Sequence, residues 1–321
     1  MLYVIVTKSS KEMSDYKWYL IHQLTWAYLF DVYLGLWKPV PLWPFYVGYS
    51  VGVFGGSVGT NFTVILQLSL LVVNAIGMGF SIYISVLHRY MQASPFSTMY
   101  KLYSKVDLRI KLYIIVFAFL LFVFLYPVIY IMPNQQILRQ NLSARFPVIQ
   151  RLVNQEPSFF GYDSELNNNQ SIIYMLVLTL SLFVVVTTIV ILYFNFLRIL
   201  RKNKPQLSSG TYKMQVMLLR TLFIQIGLAG LLLLLPVTIL LFLVFFGVPW
   251  VSGVSLVAFT ITGTHAIADF FVLSYFIKSY RQYVKELINK VRKRFGAKIE
   301  PMPAQLFATS SGVPSSIHLI E

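Results

Sequence analysis

The sequence predicts an all-α membrane protein: a polytopic helical bundle with six full transmembrane helices and a cytoplasmic amphipathic helix. Three observations carry this. Six apolar runs, approximately 18–37, 62–87, 112–132, 171–197, 219–246 and 249–276, each come up to the ~20 helical residues that cross a hydrocarbon core. The 321 residues are 57% hydrophobic and only 12% charged, with a mean hydropathy of +0.69, which excludes a soluble globular class. The third observation is that positive charge is sorted to one side of the runs.

With the N-terminus in the cytoplasm, the inside segments hold 22 of the 26 Lys and Arg, leaving Lys38, Arg139, Arg145 and Arg151 outside. Under the positive-inside rule this places both ends in the cytoplasm. The net charge of +15 then reflects topology and attraction to an anionic inner leaflet. Membrane lipids are expected partners, and nucleic acid is not. No cleavable signal peptide is expected, because the apolar patch Leu2–Val6 is short and runs into Lys8-Ser-Ser-Lys11. With no cysteine, the outer loops carry no disulfide, and a thiolate metal site or nucleophile is excluded.

The bundle is expected over residues 1–277. Its first span is the least apolar, with His22, Gln23 and Asp31 inside it. Beyond it come Pro39, Pro41 and Pro44, then Gly48, Gly52, Gly55, Gly56 and Gly59. Residues 45–53 are apolar but too short to span, so an outer loop with a partly re-entrant end is expected. The spacing Gly48, Gly52, Gly56 suits a helix-packing face, whereas no Lys-Ser/Thr follows to make a phosphate loop.

The second span ends at His88-Arg89-Tyr90 and leads into a basic inner loop. The third leads to the long outer loop 133–170, with Glu156, Asp163 and Glu165. Residues 198–220 form an inner loop with six positive charges, and the turn Phe246–Pro249 joins the last two spans as a hairpin. In 278–295, Tyr280, Val284, Leu287, Ile288 and Val291 recur at helical spacing among Lys and Arg, as in a helix lying on the inner membrane surface. The tail 296–321 is aperiodic and is expected to be disordered. Three glycosylation sequons, Asn61-Phe-Thr, Asn141-Leu-Ser and Asn169-Gln-Ser, fall outside, and Asn141 lies farthest from the membrane.

Four ionisable groups sit within spans: His22, Asp31, His265 and Asp269. Counting about 1.5 Å per residue from Lys17 and Ile277 puts His22 and Asp269 at roughly 8 and 12 Å depth, and Asp31 and His265 at roughly 21 and 18 Å. If spans one and six are neighbours, Asp31–His265 and His22–Asp269 pairs are expected, as a structural polar lock or as a ligand or ion switch. A zinc hydrolase would need three or more convergent ligands, and only two histidines lie in the membrane, on different spans. No catalytic residue, metal or cofactor is expected. Arg89 reads either as a positive-inside anchor or as a contact to a cytoplasmic partner.

Lys17-Trp18-Tyr19-Leu20, Asp31-x-Tyr33, Pro41-x-x-Pro44 with Gly48, Arg89-Tyr90, Thr264-His265 and Ser279-Tyr280-Arg281 together resemble the nematode serpentine chemoreceptors of class H, the Srh family. The resemblance runs over most of the chain in the right order, and each motif is short. It implies a seven-helix G protein-coupled receptor that is not an enzyme. It also implies an external small-molecule ligand, a heterotrimeric G protein partner contacted through Arg89, Tyr90 and Arg281, and a place in the plasma membrane, by family resemblance in sensory cilia. The chain departs from the family where Met1–Val6 resembles only the last turns of its first helix, where Ser279 replaces a proline, and where Ala266 replaces a glycine. A small-solute transporter or channel, or a truncated nonfunctional receptor, are the alternative readings.

Overall fold

The computed structural model describes residues 2–8, 16–43, 45–92, 97–163, 166, 169–203, 205, 209–248 and 250–294. The expected disordered tail, and Pro249 of the expected hairpin turn, lie outside them. In chain order the first elements are α1 (Leu2–Lys8), α2 (Tyr16–Trp37), β1 (Pro39–Leu42), β2 (Val47–Ser50), α3 (Asn61–Gln92), α4 (Thr98–Tyr103) and α5 (Val106–Tyr130). There follow α6 (Gln135–Arg145), α7 (Pro147–Gln155), β3 (Phe160–Gly161), α8 (Gln170–Lys202) and α9 (Ser209–Ala229). A π-helical turn (Gly230–Leu234), α10 (Leu235–Phe245), α11 (Val251–Thr262), α12 (His265–Phe276) and α13 (Lys278–Arg294) complete the chain.

Among the described residues, five helical stretches are long and apolar enough to cross a membrane: α3, α5, α8, Leu219–Phe245 and Val251–Phe276. α2 has the length, 22 residues, and is diluted by His22, Gln23 and Asp31. α3 is the central helix, since 44% of its most apolar stretch is buried, against 6% for α5. The apolar flanks of α5 and α8 face outward, as side chains do when lipid is the solvent.

α2 packs most extensively on α3. The crossing is close because Gly77 has no side chain, and the Trp26 ring occupies the space a Cβ would need. Ala27, Phe30 and Leu34 of α2 meet Met78, Ile82 and Val86 of α3 in the largest apolar cluster, which Leu222 and Leu233 close from the opposite side. Polar groups in this contact are satisfied across it: the Tyr33 hydroxyl donates to the Gln67 carbonyl at 2.6 Å, and Trp37 Nε1 donates to Gln67 Oε1 at 3.1 Å.

The span through α9 and α10 is continuous but widened. The Leu235 amide reaches back five residues to the Gly230 carbonyl. Pro236 follows at once, where its ring and missing N–H would break a regular α-turn; the wide turn accommodates both. The last span is interrupted at Gly263–Thr264, so α11 and α12 are separate helices.

One end of the bundle carries a small cap, and here the expectation of a re-entrant, glycine-faced segment is corrected. Residues 39–50 form a β-hairpin, and β3 adds to it in the antiparallel order β1-β2-β3. Pro39 and Pro41 are two residues apart on an edge strand, so both missing amides fall on the unpaired side of the ladder. The segment after the hairpin folds back over the end of α2. The amides of Val51, Gly52 and Val53 donate to the carbonyls of Lys38, Trp37 and Leu36 at 3.1, 3.1 and 2.8 Å. These contacts satisfy carbonyls that a helix C-terminus leaves open.

Within the loop expected outside, which has no cysteine to order it by a disulfide, Gln135–Arg145 and Pro147–Gln155 fold as α6 and α7. Leu138, Leu142 and Ile149 pack with Val47 and Phe159 into a second core. Gln135 locks this cap to the sheet, its side chain donating to the Gly161 carbonyl and accepting from the Gly161 amide, both at 3.1 Å. Arg139 Nη2 donates to the carbonyls of Gly59, Pro157 and Phe159 at 3.1, 2.9 and 2.6 Å. Burial pulls the Arg139 guanidinium down from its usual value. Arg145 forms an ion pair with Asp163.

At the opposite, basic end, Val4 and Ile5 of α1 join Tyr16, Leu20 and Leu24 of α2, Leu273 of α12, and Ile277 and Tyr280, in one buried knot. Ile277 is extended and ends α12, so α13 turns away along this end. Its Leu287, Ile288 and Val291 stay half exposed among the basic residues, the stripe expected of an amphipathic surface helix.

Candidate functional site

The interior between α2, α9 and α12 is polar where the spans cross. Gln23, Gln225, His265 and Asp269 are all buried. The Asp269 carboxylate lies near the side-chain amides of Gln23 and Gln225. Neither carboxylate oxygen of Asp269, and neither ring nitrogen of His265, has a hydrogen-bond partner of regular geometry. A group so buried and so little satisfied is costly in hydrocarbon, which makes this cluster the candidate site within the bundle.

α2 and α12 are neighbours, as the depth estimate required, but the side-chain pairings expected from it are not formed. Asp31 Oδ2 accepts from the backbone amide of Ala266 at 3.1 Å, one residue past His265. His22 Nε2 accepts from Trp26 Nε1 at 3.0 Å, within its own helix. Depth along a span fixes height and leaves rotation open, and the break at Gly263–Thr264 resets the rotation of everything after it.

That break gives Asp31 its position. A helix starting in mid-membrane has first-turn amides without intrahelical acceptors, and Thr264 makes no side-chain cap. Asp31 supplies the cap from another helix, with its negative charge at the positive end of the α12 dipole. Asp31→Leu should therefore lower stability in detergent by about 1–2 kcal/mol, and Asp31→Asn by less, because a carboxamide oxygen still accepts. Thermal denaturation of the purified chain measures this, and no loss with leucine would refute the cap.

At the basic end, Arg89 is only 3% exposed. Its guanidinium lies 3.3 Å from the Tyr16 ring centroid, and Nη1 donates to Gln92 Oε1 at 3.0 Å. Among the described residues, Nε and Nη2 have no acceptor of regular geometry, and the Tyr16 side chain lies against the guanidinium. Arg89 is thus no surface contact in this arrangement, as a purely positional reading of the end of a span would have had it. Tyr90 is half-buried against Phe196, Leu200 and Leu219. Arg281, on α13, reaches the Tyr275 carbonyl at 3.4 Å.

Beside Arg89, His88 stacks on Tyr19 with centroids 4.0 Å apart. Its Nδ1 is 2.9 Å from the Tyr103 hydroxyl, which in turn lies 2.8 Å from that of Tyr113. α4 is held in place by this bond and by Ser97, which caps its start. Tyr16, Tyr103 and Gln225 were not singled out in the sequence. Gln225, an uncharged amide in the middle of an apolar span, was the readable signal.

A family model described as serpentine type 7TM GPCR chemoreceptor Srh matches residues 1–290. The chain belongs to the Srh family. A search of curated proteins finds no match. Srh membership accounts for the helical bundle of apolar spans, and makes this a multi-pass membrane protein of a receptor family. Among the described residues no three His, Asp or Glu side chains converge as a metal site.

The three sequons of this Srh chain differ in setting. Asn61 opens α3, with its Oδ1 accepting from the Gln135 amide at 2.8 Å. Asn169 has a left-handed backbone just before α8. Asn141 lies within α6, half-buried.

Proposed function

We propose that this Srh-family chain is a chemosensory G protein-coupled receptor of the plasma membrane. Its basic end and both termini lie in the cytoplasm, and its cap lies outside, with Asn141 as the glycan acceptor. An external small molecule binds between the helices and biases the polar interior around Asp31, His265 and Asp269. A G protein then reads the basic end at Arg89, Tyr90 and Arg281, beside α13 on the inner leaflet.

The observation that carries this reading is the buried Arg89. A cation lidded by Tyr16, with two nitrogens that have no acceptor of regular geometry among the described residues, favours any arrangement that offers it new acceptors. A cytoplasmic partner presenting carbonyls or a carboxylate would bind the open arrangement better than the closed one. That difference in affinity is what a ligand-driven shift requires.

The test expresses the full chain in cells with reporter G proteins, against a panel of volatile and water-soluble small molecules. At least one should give ligand-dependent G protein dissociation. Arg89→Ala should abolish it at matched surface level, and Tyr16→Ala, which removes the lid, should raise ligand-independent signalling. Wild-type signalling by Arg89→Ala, or solute flux with no G protein response, would overturn the reading.

A further inference from the structure

On the flank of the basic half, a groove of about 470 Å³ runs between α2, α3 and α5. Trp18, His22 and Trp26 line one wall, and Arg109, Tyr113 and Phe117 the other. Each set is spaced i, i+4, i+8, so each wall is a single stripe along one helix. Phe80 and Ile84 of α3 form the floor. The groove narrows away from the basic end, where the Phe117 ring lies 5.9 Å from Trp26 and 5.3 Å from Phe80. From Arg109 to Phe117 it is about 12 Å long, at 1.5 Å per residue.

The groove opens on the flank of membrane-crossing helices, so what enters it comes from the bilayer. Its charge says which lipid. Arg109 stands at the mouth, half-exposed, with its guanidinium 5.0 Å from the Tyr103 ring centroid. The one ion pair among the described residues is Arg145–Asp163 at the other end of the protein, so no described carboxylate pairs with Arg109. Asp107 shares the first turn of α5 two residues away, hence on another face. Lys101 and Lys105 precede Arg109 at this end of the chain's third span, and the start of α5, with no side-chain cap on its amides, adds the positive end of a 25-residue helix.

We propose that this groove holds one anionic phospholipid, its phosphate on Arg109 and an acyl chain along the Trp18–Trp26 and Tyr113–Phe117 walls. A sterol would fill the apolar length and leave the cation unanswered. A zwitterionic lipid would bring a compensating positive charge to an already basic mouth. The site braces α2, whose Tyr16 covers Arg89, against α5, whose Tyr113 meets Tyr103, and its occupancy does not depend on whether the chain signals.

The test uses the purified full chain in nanodiscs, with tryptophan fluorescence quenched by lipids brominated on the acyl chain. Brominated phosphatidylserine should half-quench the accessible fraction at a mole fraction about fivefold lower than brominated phosphatidylcholine. Arg109→Gln should erase that preference, Arg109→Lys should keep most of it, and Arg151→Gln at the cap should leave it unchanged. Ile114→Phe, which fills the groove from an exposed position, should reduce quenching by both lipids. Equal quenching by the two headgroups, a preference that survives Arg109→Gln, or displacement of phosphatidylserine by cholesterol would each overturn the proposal. Size-exclusion profiles establish that the variants are folded.

Discussion

Gly52→Ala should destabilise the protein by about 3 kcal/mol, a large effect for one methyl group. A Cβ at this position would overlap the Leu36 carbonyl and lie 2.7 Å from the Trp37 carbonyl, both in the last turn of α2. These are backbone atoms, fixed by the helix behind them, so no side chain can rotate to make room. The same residue donates its amide to the Trp37 carbonyl, and displacement would also open the neighbouring bonds from Val51 and Val53. Gly56→Ala is the matched control, because a Cβ there meets nothing within 4 Å. Thermal denaturation of the two variants in detergent makes the comparison. Equal stabilities would mean that the return of the chain over α2 is not held as described.

Arg139→Ala should open the cap, with a loss of about 2–3 kcal/mol. One guanidinium nitrogen serves three carbonyls drawn from two segments far apart in sequence, Gly59 before α3 and Pro157 and Phe159 before β3. Removing it takes this donor from the Gly59 and Phe159 oxygens and leaves the Pro157 oxygen with the Gly59 amide alone, at 2.9 Å. Arg139→Lys keeps the charge but loses the planar fork, so an intermediate effect is expected. Hydrogen exchange should localise the change: the amides of Gly59 and Phe159 should exchange faster, while those of α3 beyond its first turns stay protected. Uniform loss across the bundle would show instead that Arg139 supports the whole fold.

The spans were legible in the sequence because crossing hydrocarbon demands length and apolarity, and both are properties of single segments. The cap was not legible. β1 and β2 are four residues each and β3 is two, too short for an alternating pattern to declare itself. Gly48, Gly52 and Gly56 fell by chance at helical spacing. α6 and α7 were hidden in a stretch with no apolar run, where their few core positions, Leu138, Leu142 and Ile149, acquire meaning only once Val47 and Phe159 are placed against them.

Inside the bundle the polar residues were visible and their partners were not. A charged or amide side chain within a span announces that it is held by something, and depth narrows the choice to a neighbour at similar height. Which neighbour depends on helix rotation. That is why Asp31 found the Ala266 amide instead of His265, and why Asp269 faces Gln225, a residue on a helix the counting had not considered. Arg89 likewise lies in the last turn of its span, as its position in the sequence indicated, while its Tyr16 lid comes from a helix distant in sequence.

The π-helical turn at Gly230–Leu234 has a meaning for how this chain can change over generations. A π turn takes one residue more than an α turn to close its ring. The surplus residue is confined to that turn, so the helical faces on either side stay in step with each other despite the added length. Elsewhere in a span, losing one residue would swing every later side chain by about 100° and point core leucines at lipid. At this turn the same deletion would leave Leu222 and Val244 on their present sides, and its cost would fall on Pro236, which the wide turn now accommodates. It is the place in the span where length and orientation can be inherited separately.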